Sequence, residues 1–247
     1  LALSPPPASV VVQNQPILVQ PSSSLHEATS EWLSTAQPSA DDVALLRKAF
    51  AAFYGTDRNL DESEKLLSQA IDIWQSQPPD ELAGLYRVRG DCYVLRADAS
   101  KAASDYGKAI ELIEGPGGSA ADPAELPAAY LGRARALKSQ LLGASPDAKI
   151  AQQAASDYRK GLVLNGRQDD WDTEQELLED GIRRNPYAAW EWGATLASAK
   201  DWKLAGAVQQ QASDAFDDIG DKAHAVMALL DAGIAKAAAA DDDKAIA

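Results

Sequence analysis

The chain has 247 residues, with 37 acidic and 23 basic side chains, a net charge of −14 and a pI near 4.5. That balance excludes nucleic-acid binding through clustered Lys and Arg, and docking on an anionic membrane by charge. One cysteine, Cys92, excludes an internal disulfide and any CxxC zinc site, and His26 and His224 leave little for metal or acid–base chemistry. We therefore expect no metal, no cofactor and no enzymatic activity. Alanine makes up roughly a fifth of the chain, more than twice its usual share. It is the best helix former because it loses no side-chain entropy on ordering. Strand-type runs are nearly absent after residue 25, so the expected class is all-α.

Residues 1–25 carry no charge but hold Pro5, Pro6, Pro7, Pro16 and Pro21. Proline removes a helix donor and biases its neighbour to extended backbone, so an extended arm is expected. Val10–Val12 and Ile17–Val19 are suited to lie along a partner or the body; a plain flexible tail is the alternative. The sequence opens without Met or a signal-type apolar core, as a trimmed product would. No run of about eighteen apolar residues occurs, so nothing is expected to span a membrane and contact with one is peripheral at most.

Residues 26–247 contain an internal repeat. Ala103-Ser104-Asp105-Tyr106-Gly107-Lys108-Ala109-Ile110 recurs as Ala155-Ser156-Asp157-Tyr158-Arg159-Lys160-Gly161-Leu162, and each copy follows a helix with a central glycine, Gly90 or Gly132. With Gly90 as anchor, Tyr86 and Tyr93 flank it, and Ala102, Tyr106 and Ala109 follow on the next helix. This spacing resembles the tetratricopeptide repeat (TPR), a helix pair of about 34 residues with glycine and aromatics on its first helix and Ala-aromatic-Ala on its second. The resemblance implies a right-handed α-solenoid of antiparallel helix pairs whose apolar faces are buried only by stacking. Further anchors are Ala51 (with Tyr54, Leu67 and Ala70), Gly193 (with Trp192, Ala205 and Ala212) and Gly233, giving about five pairs, some degenerate. The longest interval, Gly132 to Gly193, predicts an insertion near 165–184. Asp241–Ile246 reads as the start of the last pair's second helix, so the chain looks cut there, or covered by another chain.

The same resemblance implies a concave face lined by the first helices. Its register selects Lys48, Arg87, Asp91, Arg133, Tyr187 and Trp190. Lys48, Arg87 and Arg133 together are suited to hold a carboxylate; the alternative is that they pair with neighbouring Asp or Glu, which surface cations commonly do. Trp190 is expected at the groove or in the core, and Trp192 in the core. Asp172 or Thr173 with Glu176 reads as a helix N-cap with its capping-box partner, and the surrounding acidic stretch from Gln168 lacks the glycine and spacing of a calcium loop. Cys92 reads as a small buried hydrophobe. Gly115–Gly118 lacks the ending of a phosphate loop and reads as the turn after a helix.

Gly115-Pro116-Gly117-Gly118 with Asp122–Ala134, and Asn185-Pro186-Tyr187-Ala188-Ala189-Trp190-Glu191-Trp192-Gly193, together resemble a group of TPR proteins from plant and green-algal chloroplasts. That resemblance spans about residues 80–235. It implies a thylakoid-associated adaptor with photosystem II subunits as partners, in assembly, repair or protection, and the lumen is favoured over the stroma. A soluble co-chaperone gripping a client's C-terminal carboxylate is the alternative.

Overall fold

A computed structural model of the chain describes residues 39–75, 79–116, 124–141, 147–166 and 173–246. The expected arm at 1–25, Gly117, Gly118, the loop at 143–146 and the acidic run from Gln168 to Asp172 lie outside the described residues. The described residues are all-helical. They form α1 (Ala40–Tyr54), α2 (Leu60–Trp74), α3 (Pro79–Leu95), α4 (Ala99–Glu114), α5 (Glu125–Gln140), α6 (Ala148–Asn165), α7 (Glu174–Arg184), α8 (Pro186–Ser198), α9 (Trp202–Asp218) and α10 (Lys222–Ile246).

Local chemistry sets the boundaries. Ser39 caps α1 in a capping box with Asp42, and Thr173 caps α7 in one with Glu176. Asn59, Asp98, Asp147 and Asp201 each accept from a first-turn amide of the helix they precede. Asn185 closes α7 and opens α8, whose first residue is Pro186. Three connections share one design, a left-handed residue followed by Asp: Ala97-Asp98, Lys200-Asp201 and Gly220-Asp221. In each, the aspartate amide donates back to a carbonyl of the preceding helix (Tyr93, Leu196 and Phe216, each 2.9 Å), which meets its last free acceptors.

Every helix packs on its chain neighbours, and α6 also packs directly on α8. α7 lies in the interval near 165–184 where the sequence predicts an insertion, between these two helices in the chain. It can approach α6 because Gly181 has no side chain; a Cβ there would stand 1.9 Å from the Leu162 carbonyl oxygen. One apolar core runs from α5 to α10 around Tyr158, Trp192 and Phe216. Another joins α1, α2 and α3 around Leu67, Trp74 and Cys92.

Two expectations are corrected. Asp241–Ile246 does not begin a new helix, because α10 runs unbroken to Ile246. Between Gly233 and Ile246 the sequence offers only Ala, Asp, Lys and Ile, with no residue to break the helix. The second concerns membrane spanning: no run of eighteen apolar residues occurs, yet by length and composition Lys222–Asp243 of α10 is long and apolar enough to cross a membrane, with 22% of it buried against the rest of the chain.

Candidate binding surface

The aspartates of the two octet copies make the same contact. On α4, Asp105 takes both nitrogens of the Arg89 fork, at 2.7 and 2.8 Å. On α6, Asp157 takes the Arg133 fork at 2.7 and 2.8 Å. Each guanidinium also lies over a tyrosine three residues before it, Arg89 over Tyr86 and Arg133 over Tyr130. Planar bidentate pairing fixes both the distance and the rotation of one helix on the other. The true register of the repeat is therefore Tyr-x-x-Arg followed by a small residue: Tyr86, Arg89 and Gly90 on α3 correspond to Tyr130, Arg133 and Ala134 on α5.

Gly132 thus does not play the part of Gly90. A Cβ on Gly90 would come 3.0 Å from the Tyr106 ring of its own following helix. A Cβ on Gly132 would come 2.5 Å from that same ring, which here belongs to the preceding helix. Tyr106 is clasped between α3 and α5. Gly193 keeps the Gly90 role: its nearest neighbour is Gln209 on α9, the residue standing where α4 has Tyr106.

The residues selected from sequence fall into separate groups. Lys48 is exposed on α1. Arg87 and Asp91 pair at 2.9 Å, and Asp91 also accepts from the Tyr106 hydroxyl at 2.6 Å. Glu125 lies 3.6 Å from the Arg87 Nε. Burial pulls the Arg87 guanidinium toward neutrality, but Asp91 and Glu125 outweigh it and hold the charge. Arg133 is committed to Asp157, whose carboxylate is 1% exposed. Tyr187 and Trp190 are partly buried; Tyr187 donates to Asp221, just before α10, at 2.7 Å and Trp190 to Asp231 of α10 at 2.8 Å. Their rings close around Phe216 and His224.

Sequence reasoning passed over Arg89, Arg135 and Glu191. Arg135 on α5 reaches Glu191 on α8 at 2.7 Å across the inserted α7, with Lys138 at 4.0 Å. Arg89 was legible in the Tyr-x-x-Arg spacing; the Arg135–Glu191 pair was not, because its members are 56 residues apart. Burial lowers the Lys138 pKa despite the pull of Glu191, and the Arg135 charge adds to the lowering. Cys92 donates to the Leu60 carbonyl at 3.3 Å, and burial pushes its thiol up to about 11, which removes it as a nucleophile at neutral pH.

Arg87, Arg89, Arg133 and Arg135 are each paired with a carboxylate within the chain. What stands open instead is apolar: on α10, Val226, Leu229, Leu230 and Ile234 are 66, 50, 64 and 57% exposed. No protein-family model, no curated protein and no solved structure matches this chain.

Proposed function

We propose that the chain is a TPR-type α-solenoid working as a non-catalytic protein–protein interaction scaffold. The observation that carries this is the repeated contact set, in which Tyr86, Arg89 and Asp105 correspond to Tyr130, Arg133 and Asp157. Helix pairs built on one plan and stacked by chain neighbours present long side faces, and such faces serve binding. The setting we propose is a chloroplast adaptor on a thylakoid photosynthetic complex, photosystem II in assembly, repair or protection; it rests on the resemblance of residues 115–134 and 185–193. Gripping a client's C-terminal carboxylate is the weaker reading, because Arg87 and Arg133 already hold Asp91 and Asp157.

The test is to resolve thylakoid complexes on a gradient and follow the protein by mass spectrometry. Comigration with photosystem II in at least one light regime is expected; recovery only as free protein in every regime rejects the setting. A peptide ending in a free carboxylate, compared with its amide, separates the weaker reading: equal binding, or none, removes it.

A further inference from the structure

Three helices meet around Tyr106. Gly90 of α3 and Gly132 of α5 each lack the Cβ that would crowd its ring, and Ala102 and Ala136 pack beside it. On α6 the corresponding position holds Tyr158, which is fully buried. The helices α8, α9 and α10 repeat the arrangement with other residues. Gly193 of α8 stands for Gly90, Ala205 and Gln209 of α9 stand for Ala102 and Tyr106, and Asp231 and Ala235 of α10 stand for Gly132 and Ala136. The spacing of four residues within each of these last pairs is the same in both places. A tyrosine facing a glycine is here a glutamine facing an aspartate. The exchange does not fill the slot: a cleft of about 190 Å³ lies between the three helices, and Gly193, Ala205, Gln209, Asp231 and Ala235 all line it.

The polar groups of the cleft offer acceptors. Gln209 is 2% exposed; its Nε2 donates to the Trp190 carbonyl at 3.2 Å, and its Oε1 is buried with no hydrogen-bond partner. Such an oxygen is costly to bury unless a donor reaches it. Asp231 accepts from the Trp190 Nε1 at 2.8 Å, a neutral donor that leaves the carboxylate charge in place, and Asp231 forms no ion pair among the described residues. The remaining walls are narrow and apolar, with Ala194, Ala197 and the Trp202 ring among them. The guest that completes this set brings N–H donors, a positive charge and a slender apolar stem. A guanidinium would bring five donors to two acceptor groups; an ammonium brings three on one nitrogen. We propose that the cleft between α8, α9 and α10 binds a primary alkylammonium group, carried by a lysine side chain of a partner segment. The net charge of −14 draws basic segments toward the chain. The source of the lysine rests on the reading of the chain as a binding scaffold; the site itself does not, and neither depends on the chloroplast setting.

Isothermal titration of the full chain with n-butylammonium chloride tests the site, with butan-1-ol as the uncharged match. Butylammonium is expected to bind with a Kd on the order of 1 mM, and butanol about tenfold more weakly or less. Asp231→Asn keeps an oxygen for the Trp190 Nε1 but no charge, and is expected to weaken butylammonium about tenfold or more while leaving butanol unchanged. Gln209→Tyr combined with Asp231→Gly restores the pairing of Tyr106 with Gly132; it is expected to keep the helical circular dichroism and to bind neither compound. A capped Gly-Lys-Gly peptide is expected to bind at least as well as butylammonium, and the same peptide acetylated on the lysine Nε is expected not to bind. A wild type that binds no amine, so that an ordered water suffices for Gln209, overturns the proposal. So does equal affinity for butylammonium and butanol, or full binding by Asp231→Asn or by the refilled double variant. A lysine peptide that fails where butylammonium binds overturns lysine as the source.

Discussion

The helix pairs α3–α4 and α5–α6 do by ion pairing what α8–α9 does without it. In the middle, each second helix carries an Asp-Tyr pair whose aspartate locks an arginine fork on the first helix. On α9 the corresponding residues are Val208 and Gln209, and α8 has Trp192 where α3 has Arg89. Here an apolar ring takes the place of the guanidinium, Phe216 is fully buried, and Tyr187, Trp190 and His224 gather around it. The same helix-on-helix placement is thus specified by two different chemistries. Register comes from directional charge pairing in one region and from ring shape in the other.

The difference gives the largest expected effects. Phe216→Ala should cost about 3–5 kcal/mol, because a fully buried ring leaves a cavity between α9 and its neighbours. Arg133→Ala should cost about 3 kcal/mol, most of it from leaving the Asp157 carboxylate buried without its partner. Arg133→Met combined with Asp157→Leu should recover most of that loss, to within about 1 kcal/mol, because no charge then needs satisfying. Urea unfolding of the four variants checks the ranking. A double variant as damaged as Arg133→Ala would mean that the fork adds packing the apolar pair cannot supply, and the two regions would be less alike than argued.

A smaller effect, of opposite sign in the two regions, comes from glycine. Gly132→Ala pushes a methyl into the Tyr106 ring at 2.5 Å, and that ring is held between α3 and α5; a loss of about 1–3 kcal/mol is expected. Gly233→Ala meets nothing and removes a helix-weakening residue, so a gain of about 0.5–1 kcal/mol is expected. Thermal or urea unfolding reads the sign, and a destabilising Gly233→Ala would show that this face of α10 is not open.

These glycines also mark the limit of what the sequence revealed. Helical class, the octet repeat, the Thr173–Glu176 capping box and the buried Cys92 were all legible, since each depends on neighbours a few residues apart. A glycine announces a close approach without naming what approaches. Gly90 is approached from its own pair and Gly132 from the pair before, so alignment on glycines set α5 two residues out of phase. That phase selected Arg133 for the open face, although its fork is spent on Asp157, and passed over Arg135. Tyr-x-x-Arg was the safer anchor, because a cation over a ring and a fork on a carboxylate specify partners.

The smallest effect concerns what both regions share, the acidic side chains at helix starts. Backbone amides hold Asp98 and Glu176 below the usual carboxylate range, through Lys101 and Thr173 respectively; the Tyr187 hydroxyl and then the His224 amide do so for Asp221. A carboxylate whose folded pKa lies below its unfolded value contributes stability above the unfolded pKa, and that contribution disappears as pH falls through the folded one. Melting temperature should therefore decline from about pH 5 downward, while the fold itself is still all-helical by circular dichroism. Asp98→Asn keeps a side-chain oxygen for the Lys101 amide but cannot titrate, so its melting curve should lose a part of that acid dependence. Asp221→Asn should lose a part as well, since the same cap design opens α4 in the middle of the chain and α10 at its end. If Asp98→Asn flattened the acid limb and Asp221→Asn did not, the two caps would not be equivalent, and the opening of α10 would depend on its ring cluster rather than on its aspartate.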